Sequence, residues 1–307
     1  MRDFITLLDY SPVELTALLD RADELAAAWH EGKMPRSLEG RQVGLWFYGQ
    51  GFRNRVAFEI GARAMGASVS YIPGELGIQE PLEDMGGYLD NWYDVLVARA
   101  RDHDQLCALA DGMSVPVVNA RTDRGHPCEI LGDLQYIRRC RGTLEGLEVL
   151  FYGEVTNLCA SWFEAAARFP IRVTQVAPPD WLVTPERLVQ YKATAVGDIR
   201  TREEGSDLLD RADVLYTDCW PRTAEESEKA RIAASFLPCQ ITAEMVSRLH
   251  EEAFFLPCPP VTRGQEVSDE AMQSPRCRNR EAKAFLLHAQ NAVLEKVLAA
   301  GESDGRR

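Results

Sequence analysis

Short apolar runs alternate along this chain with segments that carry helix signals, and this alternation constrains the fold more than any other feature. The eight candidate strands are Gln42–Tyr48, Ser68–Ile72, Asp94–Arg99, Val115–Asn119, Glu148–Tyr152, Arg172–Val176, Asp213–Thr217 and Ala253–Leu256. Continuous apolar strands separated by helices are typical of a parallel sheet that is covered on both faces. The sequence therefore predicts an α/β protein with doubly wound parallel sheets.

The length and the helix signals predict two domains bridged by N- and C-terminal helices. At about 150 residues per domain, 307 residues are expected to form two. The segment Ser11–Glu14 has the pattern of a capping box with proline at its first helical position, so a helix is expected to about Trp29. We place the first domain at residues 1–140 together with a C-terminal helix over 280–300, and the second at residues 145–275.

Composition and charge exclude several classes of protein. The net charge is −13, from 34 basic and 47 acidic residues, whereas nucleic-acid binders usually carry a basic excess. The sequence has no run of about 18 apolar residues, which a membrane-spanning helix would need. Residues 1–10 include Asp3 and Asp9 and lack the layout of a signal peptide. We therefore expect a cytoplasmic protein that binds neither nucleic acid nor membrane.

The eight cysteines do not predict a metal site. The closest pair, Cys128 and Cys140, is twelve residues apart, and no C-x-x-C motif occurs. In a reducing compartment the thiols are expected to be free and mostly small core residues. One of them can still line a site.

The residues directly after each strand are the candidates for ligand binding, because ligands bind at the carboxyl ends of parallel strands. After the first strand, Gly49 and Gly51 permit a tight turn, and Arg53 and Arg55 add positive charge at a helix start suited to phosphate. A partial dinucleotide fingerprint is an alternative, although Asn54 stands where its third glycine belongs. A turn with solvated arginines is another.

Later strand ends add further polar candidates. Arg99 can reach a ligand or form a surface ion pair, and His126 before Pro127 is expected to cap a helix in its neutral form. In the second half, Asp218 can hold an amine, and Asn157 a carboxylate or an amine. Each also fits ordinary turn chemistry.

The order and spacing of four segments resemble the aspartate/ornithine carbamoyltransferase family, and most closely its ornithine-type branch. The segments are Arg53–Glu59, His126–Asp133, Tyr216–Asp218 and Arg263–Val267. The resemblance implies an enzyme that joins carbamoyl phosphate to an amine without a metal or an organic cofactor. It also implies a homotrimer in which the N-terminal domain binds carbamoyl phosphate and the C-terminal domain binds the amino acid.

For the donor, the resemblance assigns phosphate binding to Gly51, Phe52, Arg53 and Asn54, where the family has Ser-Thr-Arg-Thr. It implies that Arg99 bridges the phosphate and the carbamoyl oxygen, and that His126 polarises the carbonyl group.

Two further donor positions depart from the family. Glu129 stands where the family has a glutamine that accepts a hydrogen bond from the carbamoyl amino group, and its charge would pair well with a cationic group. Leu286 replaces an arginine that contacts the carbamoyl group.

For the acceptor, the resemblance assigns binding to Asn157 and Asp218. Arg222 stands in place of part of the Ser-Met-Gly loop of the ornithine branch, so we expect an acceptor other than plain ornithine. Cys258 keeps the cysteine of the His-Cys-Leu-Pro motif and is expected beside Arg99, His126 and Glu129 among the catalytic residues. Gln79–Pro81 replaces the Gly-Glu-Ser pattern of a loop that reaches the neighbouring subunit.

Three functions fit these residues. The first is a carbamoyltransferase that acts on an unusual amino acid, in specialised metabolism. The second keeps the fold but uses an amidino-type donor, which Glu129 and Leu286 would suit. The third is a non-catalytic ligand sensor, which Phe52 and Pro257 motivate.

Overall fold

The computed structural model describes residues 3–49, 51–78 and 80–302, which form two compact α/β units. The first unit extends to Cys140 and resumes at Lys283, and the second spans Arg141–Ala282. The α-helices in chain order are α1 (Pro12–His30), α2 (Phe52–Ala64), α3 (Leu82–Leu89), α4 (His103–Gly112), α5 (Pro127–Arg141), α6 (Asn157–Arg168), α7 (Pro185–Lys192), α8 (Glu226–Phe236), α9 (Ala243–Arg248), α10 (Asp269–Met272), α11 (Asn279–Ala284) and α12 (Leu286–Glu302).

The first unit is built on a four-stranded parallel sheet. Its strands are β1 (Gln42–Phe47), β2 (Ser68–Pro73), β3 (Val95–Arg99) and β4 (Val117–Arg121), in the order β2-β1-β3-β4. Residues 95–98 of β3 are fully buried, because helices cover both faces of this inner strand. Helices α1 and α12 pack together, and Arg21 on α1 donates to Glu295 on α12 at 2.6 and 2.9 Å.

The second unit is built on a five-stranded parallel sheet. Its strands are β5 (Glu148–Tyr152), β6 (Arg172–Val176), β7 (Asp198–Arg202), β8 (Val214–Thr217) and β9 (Phe254–Pro257), in the order β7-β6-β5-β8-β9. Its core includes Leu150, Val176, Phe236 and Phe255. All four strand pairs are parallel, so β5 and β8 end beside each other in the middle of the sheet.

The predicted α/β class with parallel sheets is confirmed, and three details differ. Strand β7 was not predicted, because it is an edge strand whose sequence is mostly polar and charged. Strand β4 begins after Pro116, which has no amide proton for the sheet, rather than at Val115. The single helix predicted over residues 280–300 is interrupted at Phe285. No helix in the described part of the chain combines the length and the apolarity needed to cross a bilayer.

Candidate functional site

The turn between β1 and α2 is held open by a left-handed glycine. Gly51 has φ +34° and caps α2 without a side-chain acceptor, so the first-turn amides of the helix have no capping side chain there. A Cβ atom on Gly51 would lie 2.8 Å from Cδ and Nε of Arg99. The glycine therefore makes room for the Arg99 side chain beside the start of a helix, where anions are favoured.

Arg99 is a partly buried cation at the carboxyl end of β3. Its Nε has no hydrogen-bond partner among the residues that the structure describes. Burial, followed by the charges of Arg121 and Arg53, lowers the pKa of Arg99 to about 10 against the opposing effects of Tyr48 and Glu129. Arg99 thus stays cationic at neutral pH beside two other guanidinium groups, an arrangement that favours an anionic ligand.

His126 directly precedes α5 and is buried, with 6% of its surface exposed. Burial lowers its pKa to about 3, although Glu129 acts in the opposite direction. The imidazole is therefore neutral at physiological pH and carries one N–H donor. Its Nε2 atom lies 3.4 Å from Nδ2 of Asn54 and 3.6 Å from Oε2 of Glu129.

A buried polar network continues from His126 into the first unit. Asn54 Nδ2 donates to Glu129 Oε2 at 3.0 Å, and Gln290 Nε2 donates to Asn54 Oδ1 at 2.9 Å. Lys283 Nζ lies 2.8 Å from Glu129 Oε1 and donates to both carboxylate oxygens of Asp133 at 2.7 and 2.9 Å. Both the nitrogen and the oxygen of the Asn54 side-chain amide therefore make hydrogen bonds within the first unit, to Glu129 and Gln290, in addition to any contact with a phosphate at the loop.

Glu129 is held as a carboxylate within this network. Burial by itself would raise the pKa of Glu129, but the charge of Lys283, together with the hydrogen bonds from Lys283 and Asn54, outweighs that effect and lowers the pKa below its usual range. Each of its oxygens is already an acceptor, Oε1 for Lys283 and Oε2 for Asn54. A carboxylate can accept about four hydrogen bonds, so capacity for a ligand remains.

In the second unit, Asn157 and Asp218 follow the neighbouring strands β5 and β8. Thr217 Oγ1 donates to the carbonyl oxygen of Tyr152 at 2.8 Å and ties the two strand ends together. Thr156 caps α6, which places the buried Asn157 at the first helical position. Asp218 accepts a hydrogen bond from the amide of Cys219 at 2.8 Å.

Glu154 lies on the same edge of this sheet and is not among the site residues that the sequence predicts. It is two residues beyond the end of β5 and is partly buried. Burial and the charge of Asp218 raise the pKa of Glu154 to about 7. Two carboxyl groups therefore lie near each other here, and one of them titrates near neutral pH.

Of the three remaining predicted residues, one is buried and two are exposed. Cys258 is buried, and its amide donates to the carbonyl oxygen of Thr217 at 2.9 Å, beside Asp218. Arg222 is exposed. Burial raises the pKa of Cys219, and the charge of Arg222 acts in the opposite direction. Phe52 is 55% exposed, with the Arg53 guanidinium 4.8 Å from its ring centroid.

Each unit thus gathers its own set of predicted residues. Gly51, Arg99, His126, Asn54 and Glu129 are linked in the first unit, and Asn157, Asp218 and Cys258 lie along one sheet edge in the second. Within residues 3–49, 51–78 and 80–302, no three or more His, Cys, Asp and Glu side chains are grouped so as to hold a metal ion. Gln79 lies outside the described residues.

Models of one protein family match nearly the whole chain. Residues 2–139 match "Aspartate/ornithine carbamoyltransferase, carbamoyl-P binding domain", and residues 145–297 match "Aspartate/ornithine carbamoyltransferase, Asp/Orn binding domain". The chain is 33% identical to the ornithine carbamoyltransferase of Psychrobacter sp. (strain PRwf-1), covering 97% of each protein. It is 34% identical to that of Methylococcus capsulatus, covering 97% of this chain and 99% of the relative.

Solved structures agree with these matches. The structure of ornithine carbamoyltransferase from Pyrococcus furiosus superposes with a TM-score of 0.90 at 29% identity, over 95% of this chain and 96% of that one. The enzyme of that name from Thermus thermophilus superposes with a TM-score of 0.85 at 29% identity, over 96% of this chain and 98% of that one.

Substitution of Gly51 by alanine should weaken anion binding in the first unit. The added methyl group would meet Arg99 at 2.8 Å and displace the guanidinium, so the affinity for inorganic phosphate, measured by calorimetry, should fall about tenfold. Gly49→Ala is the matched control, because Gly49 has φ +66° but its Cβ would meet nothing within 4 Å. Both variants should lose about 1 kcal/mol of stability. Equal phosphate affinities in the two variants would contradict the role of Arg99.

Substitution of Glu154 by glutamine should change how stability depends on pH. The pKa of Glu154 in the folded state is raised to about 7 from its ordinary value of 4.5. Its contribution to stability is therefore present below pH 4.5 and lost as the pH rises through 7. Glu154→Gln should match the wild type in thermal unfolding at pH 4.5 and unfold at a higher temperature at pH 8.5. Exposed Glu203→Gln is the control, and parallel pH curves for Glu154→Gln and the wild type would refute the assignment.

Proposed function

The chain belongs to the aspartate/ornithine carbamoyltransferase family of transferases, and from this premise we propose that it transfers a carbamoyl group from carbamoyl phosphate to the amine of an amino acid other than plain ornithine. In this proposal residues 1–140 and the C-terminal helix bind the donor, and residues 145–275 bind the acceptor. The enzyme needs neither a metal nor an organic cofactor.

The observation that carries the proposal is that a neutral, buried His126 at the start of α5 lies within electrostatic range of the cationic Arg99 at the end of β3. Arg53, Arg99 and the first-turn amides after Gly51 hold the phosphate. The N–H group of His126, together with Arg99, stabilises the charge that develops on the carbonyl oxygen. Glu129 accepts a hydrogen bond from the carbamoyl amino group.

The chemical step needs little beyond positioning and electrostatics. The neutral amine of the acceptor attacks the carbonyl carbon, forming a C–N bond. The C–O bond to phosphate then breaks, the phosphate leaves with the electron pair, and the nitrogen passes a proton to the departing phosphate. Asn157, Asp218 and Arg222 hold the acceptor, with Cys258 beside the strand end that carries Asp218.

Arg222 supports an acceptor that differs from ornithine. The curated relatives are named ornithine carbamoyltransferases, so ornithine is the competing acceptor. The ornithine branch has an uncharged Ser-Met-Gly loop at this place. This chain instead has the exposed guanidinium of Arg222, whose charge acts on Cys219 and which is four residues from Asp218 in the sequence. A cation at this position favours an acceptor that carries an additional anionic or polar group. Such an acceptor fits a place in specialised metabolism.

Two observations make the other functions less favourable. An amidino-type donor would need an uncompensated carboxylate, yet Glu129 already lies 2.8 Å from Lys283 and attracts Arg99. Phe52 and Pro257 motivate a non-catalytic sensor, yet the Phe52 side chain is 55% exposed and its ring lies against the Arg53 guanidinium.

We further propose a cytoplasmic homotrimer. Helix α2 carries Phe52, Val56 and Ile60 at four-residue spacing, and each of these side chains is at least 38% exposed. Such an apolar stripe on one helix face is typical of a protein–protein interface. Tyr71, on the edge strand β2, adds exposed apolar surface in the same unit.

A panel of amines tests the proposed reaction. With carbamoyl phosphate as donor, the value of kcat/KM for ornithine should be at least tenfold below that for the best acceptor. Arg222→Ala should lower kcat/KM for that acceptor by about 10- to 100-fold, the cost of one charged hydrogen bond, and leave the KM for carbamoyl phosphate unchanged. Exposed Arg211→Ala is the control. Ornithine as the best acceptor would refute the acceptor proposal, and no product with any amine would refute the reaction.

Charges placed on the α2 stripe test the trimer. The double variant Val56→Asp, Ile60→Asp should sediment as a single chain, whereas the wild type should have three times that mass, because a like-charged stripe cannot be buried without a partner. Exposed Val13→Asp, at the first turn of α1, is the control and should remain trimeric. A wild-type protein that sediments as a single chain would contradict the assembly.

A further inference from the structure

Lys283 is a buried cation to which neither the sequence motifs nor the proposed reaction assigns a role. It lies on α11, and only 11% of its side chain is exposed. Its ammonium group is within 2.9 Å of three carboxylate oxygens, one from Glu129 and two from Asp133. The side chains of Glu129 and Asp133 are 5% and 1% exposed, so all three charges are almost removed from water.

Two carboxylates on one helix need this cation. Glu129 and Asp133 are four residues apart on α5, so they face the same side and repel each other when both are ionised. A buried carboxylate without a nearby cation takes up a proton instead. Lys283 is shared between the two groups and so permits both to remain ionised.

The other charged groups around Glu129 contribute differently. His126 and Asp133 are on or beside its own helix, Cys128 is its neighbour in sequence, and Arg99 approaches from β3. Burial raises the pKa of the Cys128 thiol, which leaves it neutral, and burial also keeps His126 neutral. Arg99 attracts Glu129 through space, whereas Lys283 is within hydrogen-bond distance of its Oε1 atom.

We propose that Lys283 is a positioning residue for the donor: it holds Glu129 as a carboxylate that is oriented to accept a hydrogen bond from the amino group of carbamoyl phosphate. This inference rests on the proposed carbamoyl transfer. Lys283 fixes Oε1, which leaves Oε2 directed toward Asn54 and His126, where the carbonyl group would be polarised. Both oxygens then keep lone pairs for a ligand, whereas a protonated Glu129 would offer a donor in place of one acceptor.

Removal of Lys283 should therefore make donor binding depend on pH. Without its ammonium group, burial would dominate and Glu129 would bind a proton in the range where the enzyme works. Donor binding should then be weak at low pH and recover as the pH rises and Glu129 ionises. A residue that merely supported the fold would not produce this dependence.

The experiment measures the Kd of carbamoyl phosphate by calorimetry between pH 6 and pH 8.5. The wild type should change less than threefold. Lys283→Met should bind about tenfold more weakly at pH 6 and recover toward pH 8.5, and Lys283→Arg should remain close to the wild type. In the double variant Lys283→Met, Glu129→Gln, the pH dependence should disappear. Lys296→Met, on α12, is the matched surface control.

A second double variant controls for misfolding of Lys283→Met and shows whether Glu129 or Asp133 is the titrating group. Lys283→Met, Asp133→Asn leaves the net charge of the cluster unchanged and should keep the pH dependence of Lys283→Met. The inference would be overturned if Lys283→Met bound the donor within threefold of the wild type at every pH, or if the pH dependence persisted in the double variant that carries Glu129→Gln. A wild type that does not bind carbamoyl phosphate would instead refute the proposed function on which the inference rests.

Discussion

The packing of the first unit depends on one buried carboxylate, that of Glu129. Glu129 accepts a hydrogen bond from Asn54 on α2 and is paired with the charge of Lys283 on α11. His126, at the start of the same helix as Glu129, lies 3.6 Å from its Oε2 atom. Gln290 on α12 then fixes the Asn54 amide. Burial of a polar group lowers the stability of the fold unless the group is hydrogen-bonded. These contacts therefore stabilise the packing of the four helices α2, α5, α11 and α12. That arrangement also places His126 Nε2 3.4 Å from Nδ2 of Asn54.

The location of the candidate site was predictable from the sequence because it follows from local signals. Apolar runs followed by glycine, proline or charged residues mark the ends of parallel strands, and those ends meet at one edge of each sheet. Arg99 directly ends β3, and Asp218 directly follows β8. Both are therefore positioned by the strand before them. The helix start at His126 is likewise set by Pro127.

The residues that the sequence did not predict depend on distant contacts or on burial. Lys283 is 150 residues from Asp133, and Gln290 is 236 residues from Asn54, so no local pattern connects them. Glu154 is in an ordinary turn sequence, and only its burial near Asp218 distinguishes it. Strand β7 was missed for a related reason, since an edge strand with charged residues lacks the apolar run that marks the inner strands.

The structure also changes how the departures from the family pattern are interpreted. In the sequence, the glutamate at 129 adds a negative charge and the leucine at 286 removes a positive charge relative to the family pattern, which suits an amidino-type donor. In the folded chain, Lys283 lies three residues before Leu286 and returns a cation to Glu129, and Leu286 is buried with its backbone close to Gly132. The positive charge that is missing at position 286 is therefore present at position 283, where it compensates the negative charge of Glu129. Because removing one partner of a buried ion pair leaves an uncompensated charge, the ionised form of Glu129 depends on Lys283.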